Sequence, residues 1–158
     1  MKAGVVTIST SKAAGEGTDE SGPALAELAR SLGADSLIEE LIPDDRLRIE
    51  ATLRRLCDEE QCALVLTSGG TGLSPTDLTP EATRAVIERE APGIPEAMRA
   101  ASRQHTDKWM LSRAVAGTRG RALIVNFPGN PPAIEQTGAA LVGPLGHALK
   151  LLAGDHPH

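Results

Sequence analysis

The sequence predicts an α/β protein, a three-layer α/β/α sandwich around a mostly parallel sheet. Three observations carry this. Four short apolar runs, at residues 5–8, 36–42, 63–67 and 122–126, are near-continuous rather than alternating, the mark of parallel strands covered on both faces. Between them lie segments with apolar residues at helical spacing, in the order β-α-β-α-β-α…β-α of a doubly wound sheet. The length, 158 residues and 16.5 kDa, suits one domain, so residues 1–158 are expected to share one core.

Each element has its own signals. After the first run, residues 12–22 are rich in Gly, Ala, Ser and acidic residues and form the only linker-like stretch. Leu25, Leu28, Ala29 and Leu32 then repeat at i, i+3, i+4, i+7, with Gly33 as a C-terminal stop. The 36–42 run is followed by Pro43-Asp44, a start signal for a helix striped by Ile49, Leu53, Leu56 and Cys57. After the 63–67 strand, Thr79-Pro80-Glu81 opens a third helix with a cap residue, a first-turn proline and a carboxylate near the positive end. Residues 93–119 fit the alternation poorly and predict short helices and a loop outside the regular layers. Asn130-Pro131 opens the last helix, which Gly143-Pro144 is expected to interrupt before residues 145–152.

Composition narrows the function. Aromatics are 1% of the chain (Trp109, Phe127, no Tyr), which argues against a stacking platform for single-stranded nucleic acid. A formal charge of −5 disfavours polyanion binding. The N-terminal apolar run is too short for a signal peptide or a membrane span, and a cytoplasmic location is expected. Cys57 and Cys62 are expected as buried thiols. His105 and His147 are isolated, and His156 and His158 fall in a tail, so metal-ligand spacing is missing.

In open α/β sheets ligands bind at the carboxyl ends of the strands. The loop after the third predicted strand, Ser68-Gly69-Gly70-Thr71-Gly72, lets backbone N–H groups converge on one point, next to hydroxyls and a helix N-terminus. This is a cradle for an anion such as phosphate; a plain strand-to-helix turn is the alternative. The loop lacks the Gly-Lys-Ser/Thr of a Walker A site, and Pro75 replaces the third Gly of a dinucleotide fingerprint. Asp77 is out of place beside phosphate unless it holds Mg²⁺ or caps a turn. Asp44 and Asp45, at the end of the second strand, serve either as helix caps or as carboxylates facing the same crevice. The turn Asn126-Phe127-Pro128-Gly129-Asn130-Pro131-Pro132 either presents backbone groups to a planar ligand or is a stiff connection. Six cations (Arg99, Arg103, Lys108, Arg113, Arg119, Arg121) against Asp107 give residues 99–121 a local excess suited to a small anionic ligand, unless they form a solvated face.

Taken together, these stretches resemble the MogA/MoaB family of molybdenum-cofactor biosynthesis proteins. The likeness rests on Thr67-Ser68-Gly69-Gly70-Thr71-Gly72 with Asp77-Leu78-Thr79-Pro80-Glu81-Ala82. It is supported by Val6-Thr7-Ile8-Ser9, Leu41-Ile42-Pro43-Asp44, Gly93-Ile94-Pro95-Glu96-Ala97-Met98-Arg99, Leu111-Ser112-Arg113-Ala114-Val115-Ala116-Gly117 and Leu123-Ile124-Val125-Asn126-Phe127-Pro128-Gly129. The resemblance implies a molybdopterin-binding fold, commonly a homotrimer, that uses Mg²⁺ and ATP to adenylylate molybdopterin with release of pyrophosphate. It implies Asp44 and Asp77 as the catalytic and Mg²⁺-holding carboxylates. It further implies a pocket of Ser9, Ser68, Gly69, Gly70, Thr71, Gly72, Ser112, Asn126, Pro128, Gly129 and Asn130. Other enzymes of the same pathway are implied partners; nucleic acid and membrane are not. Three positions depart from the pattern: Thr76 replaces an Arg, Thr10 an Asp, and Pro132 a Lys or Arg. Lys12, Arg113 and Arg119 are the candidates to restore the missing charge. The rival readings are a paralogue that binds the pterin without adenylylating it, and a scaffold.

Overall fold

A computed structural model describes residues 1–156. Its centre is a six-stranded sheet in the order β2-β1-β3-β6-β5-β4. The parallel part comprises β1 (Lys2–Ile8), β2 (Ser36–Ile42), β3 (Leu64–Ser68) and β6 (Ala122–Phe127). β4 (Arg89–Glu90) and β5 (Ala116–Arg119) extend it in antiparallel sense. Helices cover both faces. α2 (Ser21–Ser31), α5 (Gly93–Ser102) and α6 (Pro131–Ala153) pack over Val5, Leu66, Leu123 and Phe127. α3 (Arg46–Asp58) and α4 (Thr79–Val86) pack over Val6, Ile8, Val65 and Ile124. The three layers and the mostly parallel sheet match the sequence expectation.

Most local signals act as read, but Thr79 does not cap α4: the helix starts at Thr79 itself, Leu78 holds the cap position without a side-chain bond, and the Thr79 hydroxyl is drawn away to the Gly69 carbonyl. Gly33 adopts φ +96 just past α2, where a side chain would be strained. Asn130 accepts the Ala133 N–H at 2.9 Å with Pro131 and Pro132 in the first turn of α6. Asp45 is the residue that caps α3, accepting the Arg48 N–H at 2.9 Å. Asp44 is thereby left for another purpose. Cys57 and Cys62 are buried thiols, and burial pushes the Cys57 thiol up to about 12, leaving it inert at neutral pH.

Four further expectations need correction. β2 is not covered on both faces: it is the sheet edge, most of its residues are exposed or half-buried, and Arg55 pairs with its Glu40. The linker-like 12–22 stretch is partly helical, with α1 at Thr10–Ala13 and α2 already begun at Ser21. The proline break is absent, since α6 runs unbroken through Pro144. Pro144 lies on the solvent side while Leu141, Leu145 and Leu149 are buried, so packing holds the helix and water can serve the freed carbonyl. Residues 93–119 are not all outside the layers: α5 packs within one and β5 joins the sheet, leaving the 3₁₀ turn Asp107–Leu111 outside. Gly117 permits that pairing, because a Cβ there would stand 2.5 Å from the Arg89 carbonyl oxygen.

His105 and His147 are exposed on separate segments, and no grouping of three or more metal-ligating side chains occurs among the described residues. No helix among them is long and apolar enough to cross a membrane. His158 lies outside the described residues.

Candidate functional site

The connection β1–α2–β2 runs over one face and β2–α3–β3 over the other, so the winding reverses between β1 and β3. The crevice beyond the carboxyl ends of those strands is where such a sheet binds ligands. The glycine loop fills it.

That loop is built so that its carbonyls face inward. Thr79 Oγ donates to the Gly69 carbonyl at 2.9 Å, and the Thr79 N–H donates to the Gly70 carbonyl at 3.1 Å. The Arg113 N–H donates to the Thr71 carbonyl at 2.8 Å, and its Nε to the Gly72 carbonyl at 2.7 Å. By contrast, the N–H groups of Gly70, Thr71, Gly72 and Leu73 have no protein acceptor among the described residues. Four successive amides are free, which is the composition of an anion nest. Only glycine fits two of these positions. Gly69 has φ +99 and a Cβ would lie 2.2 Å from the Ile8 carbonyl oxygen; Gly70 has φ +66 and a Cβ would lie 2.4 Å from Thr79 Oγ.

Two carboxylates flank the loop. Asp44 Oδ2 accepts the Thr10 N–H and hydroxyl, both at 3.0 Å, and the Asp44 N–H donates back to Thr10 Oγ at 3.0 Å. Asp44 Oδ1 faces Gly70, 3.2 Å from where a Cβ would stand. Asp77 Oδ2 lies 2.8 Å from the corresponding point on Gly72 and accepts the Ser74 N–H at 3.0 Å. The capping role weighed for Asp77 is therefore real but occupies one oxygen. Each carboxylate keeps one oxygen without a protein donor among the described residues.

Beside the loop lies a cleft of about 390 Å³, bounded by α5, the 3₁₀ turn and α6. Thr71, Gly72, Ser112, Pro128 and Asn130 of the expected pocket line it. Arg99, Ser102, Lys108 and Trp109 line it as well; Arg99 and Lys108 belong to the cationic excess over residues 99–121 that the sequence pointed to, whereas Ser102 and Trp109 carried no sequence signal for the site. Arg103 stands over the Trp109 ring, 5.8 Å from its centre, and steadies this wall.

The remaining expected residues support the site from behind. Asn126 is fully buried: its amide donates to Thr67 Oγ and Thr83 Oγ, both at 3.0 Å, and its Oδ1 accepts the Val115 N–H at 3.1 Å. Ser68 is buried and donates to the Pro128 carbonyl at 3.1 Å. Gly129 lies against Gly69, whose N–H donates to the Phe127 carbonyl at 3.1 Å. Ser9 caps α1 by accepting the Lys12 N–H. Two charge-restoring candidates are committed elsewhere: Arg119 pairs with Asp58, and Arg113 with Glu81 and the loop carbonyls. Lys12 has no ion-pair partner among the described residues.

Residues 4–147 match the family described as "Probable molybdopterin binding domain". The chain belongs to that family. Similar proteins include the molybdopterin adenylyltransferases of Haemophilus influenzae, 45% identical over 87% of this chain and 71% of that one, and of Helicobacter pylori strain J99, 37% identical over 97% and 88%. Among solved structures, the molybdopterin biosynthesis enzyme MoaB of Thermus thermophilus superposes with a TM-score of 0.90, at 41% identity and over 98% and 97% of the two chains. The Mog protein of Mycobacterium ulcerans gives 0.89, at 38% identity over 96% and 98%.

Proposed function

We propose that this member of the molybdopterin-binding family is a nucleotidyltransferase of molybdenum cofactor biosynthesis, moving AMP from ATP to the terminal phosphate of molybdopterin with release of pyrophosphate. The single observation that carries this is the loop with four inward carbonyls and four free amides, set between a cationic cleft and two half-committed carboxylates. The pterin enters the cleft beside Trp109, with Arg99 and Lys108 facing its negative charge. The triphosphate lies over the amides of residues 70–73. A phosphate oxygen of the pterin attacks the α-phosphorus of ATP, the new P–O bond forms, and the bond to the β-phosphate breaks. No enzyme nucleophile is needed, so catalysis consists of positioning and charge stabilisation by oriented amides.

Asp44 and Asp77 fit a Mg²⁺ ion, because this hard cation is usually held by one or two carboxylates together with substrate phosphates and water. When bound, Mg²⁺ neutralises triphosphate charge. Thr10 turns Asp44 toward Gly70, and the Ser74 N–H does the same for Asp77 toward Gly72. A homotrimer, a cytoplasmic location and association with other enzymes of the pathway belong to the same reading, and mass measurement in solution tests the first. The deciding experiment supplies molybdopterin, ATP and Mg²⁺ and follows pyrophosphate. Release that depends on all three is expected, and its absence overturns the reading. The second reading, binding without transfer, is favoured by one observation: position 76 carries an exposed threonine rather than a cation, and its hydroxyl is shared with Ser74. Pterin affinity without pyrophosphate release would establish it.

A further inference from the structure

We infer that the Arg113 side chain is a positioning residue that fixes the glycine-loop amides and the Asp77 carboxylate relative to one another, without itself meeting the anion. In a trans peptide the carbonyl and the following N–H point in opposite directions. Each loop carbonyl drawn into the protein therefore turns the next amide outward. Thr79 does this for the amides of Gly70 and Thr71, and the Arg113 backbone does it for Gly72. Arg113 Nε, on the Gly72 carbonyl at 2.7 Å, does it for Leu73.

The same guanidinium reaches across the crown of residues 73–76. Its Nη2 donates to the Asp77 carbonyl at 2.8 Å. Gly72 and Asp77 are the two feet of that crown, and one planar, rigid fork clamps both. Its third direction is spent on Glu81. That contact holds the Glu81 carboxyl below its ordinary range, so at neutral pH the pair adds no net charge to the crevice. A cation beside a phosphate loop is naturally read as a phosphate ligand; here each of its three nitrogens already donates one hydrogen bond, two to the protein's own backbone and one to Glu81.

This role presupposes the anion cradle of the proposed function, and the test separates the two. Labelled protein is titrated with inorganic pyrophosphate and Mg²⁺ while the amide resonances of Gly70, Thr71, Gly72 and Leu73 and the Arg113 Nε–H resonance are followed. In the unaltered protein the four amides should shift and Nε–H should stay. An Nε–H that moves as far as the amides overturns the positioning role, and four amides that all stay overturn the cradle itself. Arg113→Lys keeps the charge but cannot clamp both feet. It should retain the Gly70 and Thr71 shifts, lose that of Leu73, and lower kcat by about 100-fold, the scale of a displaced reacting group, with a smaller change in KM for ATP. Full activity with all four shifts in Arg113→Lys would show that charge alone matters and would overturn the inference. Glu81→Gln, which leaves the fork on both feet, should keep all four shifts; loss of the Leu73 shift there would overturn it equally. Should Arg113→Lys not fold, the Nε–H measurement on the unaltered protein still decides.

Discussion

The glycine loop divides its crevice into two unlike flanks. On the β1–β2 side stands Asp44, locked by Thr10, while Asp77, tied to the Ser74 N–H, lies against Gly72 farther along the loop: both are short, acidic side chains held by backbone groups. On the α5–α6 side stand Arg99, Lys108 and Trp109: long, cationic or aromatic side chains lining an open cleft. The proposed reaction puts a metal-bound polyphosphate by the hydrogen-bonded carboxylates and a flat heterocycle carrying phosphate in the cleft. In the reaction proposed above, Mg²⁺ held by the carboxylates and the cationic side chains of the cleft would offset the repulsion between two anionic substrates meeting over one row of amides.

The comparison breaks most decisively at Asp77. Asp77→Asn keeps the size and one acceptor but removes the charge, and should lower pyrophosphate release by about 10²–10³-fold, the usual scale for a lost preorganised electrostatic group. Molybdopterin affinity, measured by calorimetry, should stay close to that of the parent, because the pterin contacts proposed above are made by Arg99, Lys108 and Trp109 rather than by Asp77. The complementary change, Trp109→Ala, should weaken molybdopterin binding by about tenfold through lost aromatic contact while leaving ATP binding nearly unchanged. Equal loss of both ligands in either variant would show that the flanks are not separate sites.

The divider itself is tested by Gly70→Ala. The methyl group would meet Thr79 Oγ in a left-handed backbone, at a cost of about 1–3 kcal/mol. The expected drop in Tm is about 2–4 °C per kcal/mol, and binding of ATP should fail before the fold does. The smallest effect concerns pH. Glu81 and Asp58 both have carboxyls held below their ordinary values, chiefly by hydrogen bonds from Arg113 and Arg119. A lowered folded-state value means stability that is complete above the ordinary carboxylate range and is lost as pH falls through the depressed one. Thermal unfolding should therefore be flat from neutral pH to about 5 and decline in acid. Glu81→Gln should flatten that decline slightly, since the pair is partly exposed.

Much of this was legible in the residues. The cores of the parallel strands, the caps at Asn130 and Gly33, and the loop of residues 68–72 all follow from local rules of burial, capping and backbone freedom. What misled was any residue whose role depends on its neighbours in space. The 36–42 run reads as buried, yet strand order puts it at an edge. Pro144 reads as a break, yet it falls on the side of α6 where water replaces the lost bond. Asn126 reads as a pocket residue, yet every polar atom of its side chain is turned inward.

The sequence by itself determined the layered α/β plan and the loop able to present amides, because periodicity, glycine content and capping act within a few residues of one another. Only the tertiary structure decided which carbonyls draw that loop inward, and that Arg113, some forty positions along the chain from Gly72, holds it there. It alone decided that Trp109 lines the crevice, and which of the cations of residues 99–121 line it with Trp109. Those outcomes follow from which strands pair and which helices pack together, and contacts between distant segments leave no local pattern to read.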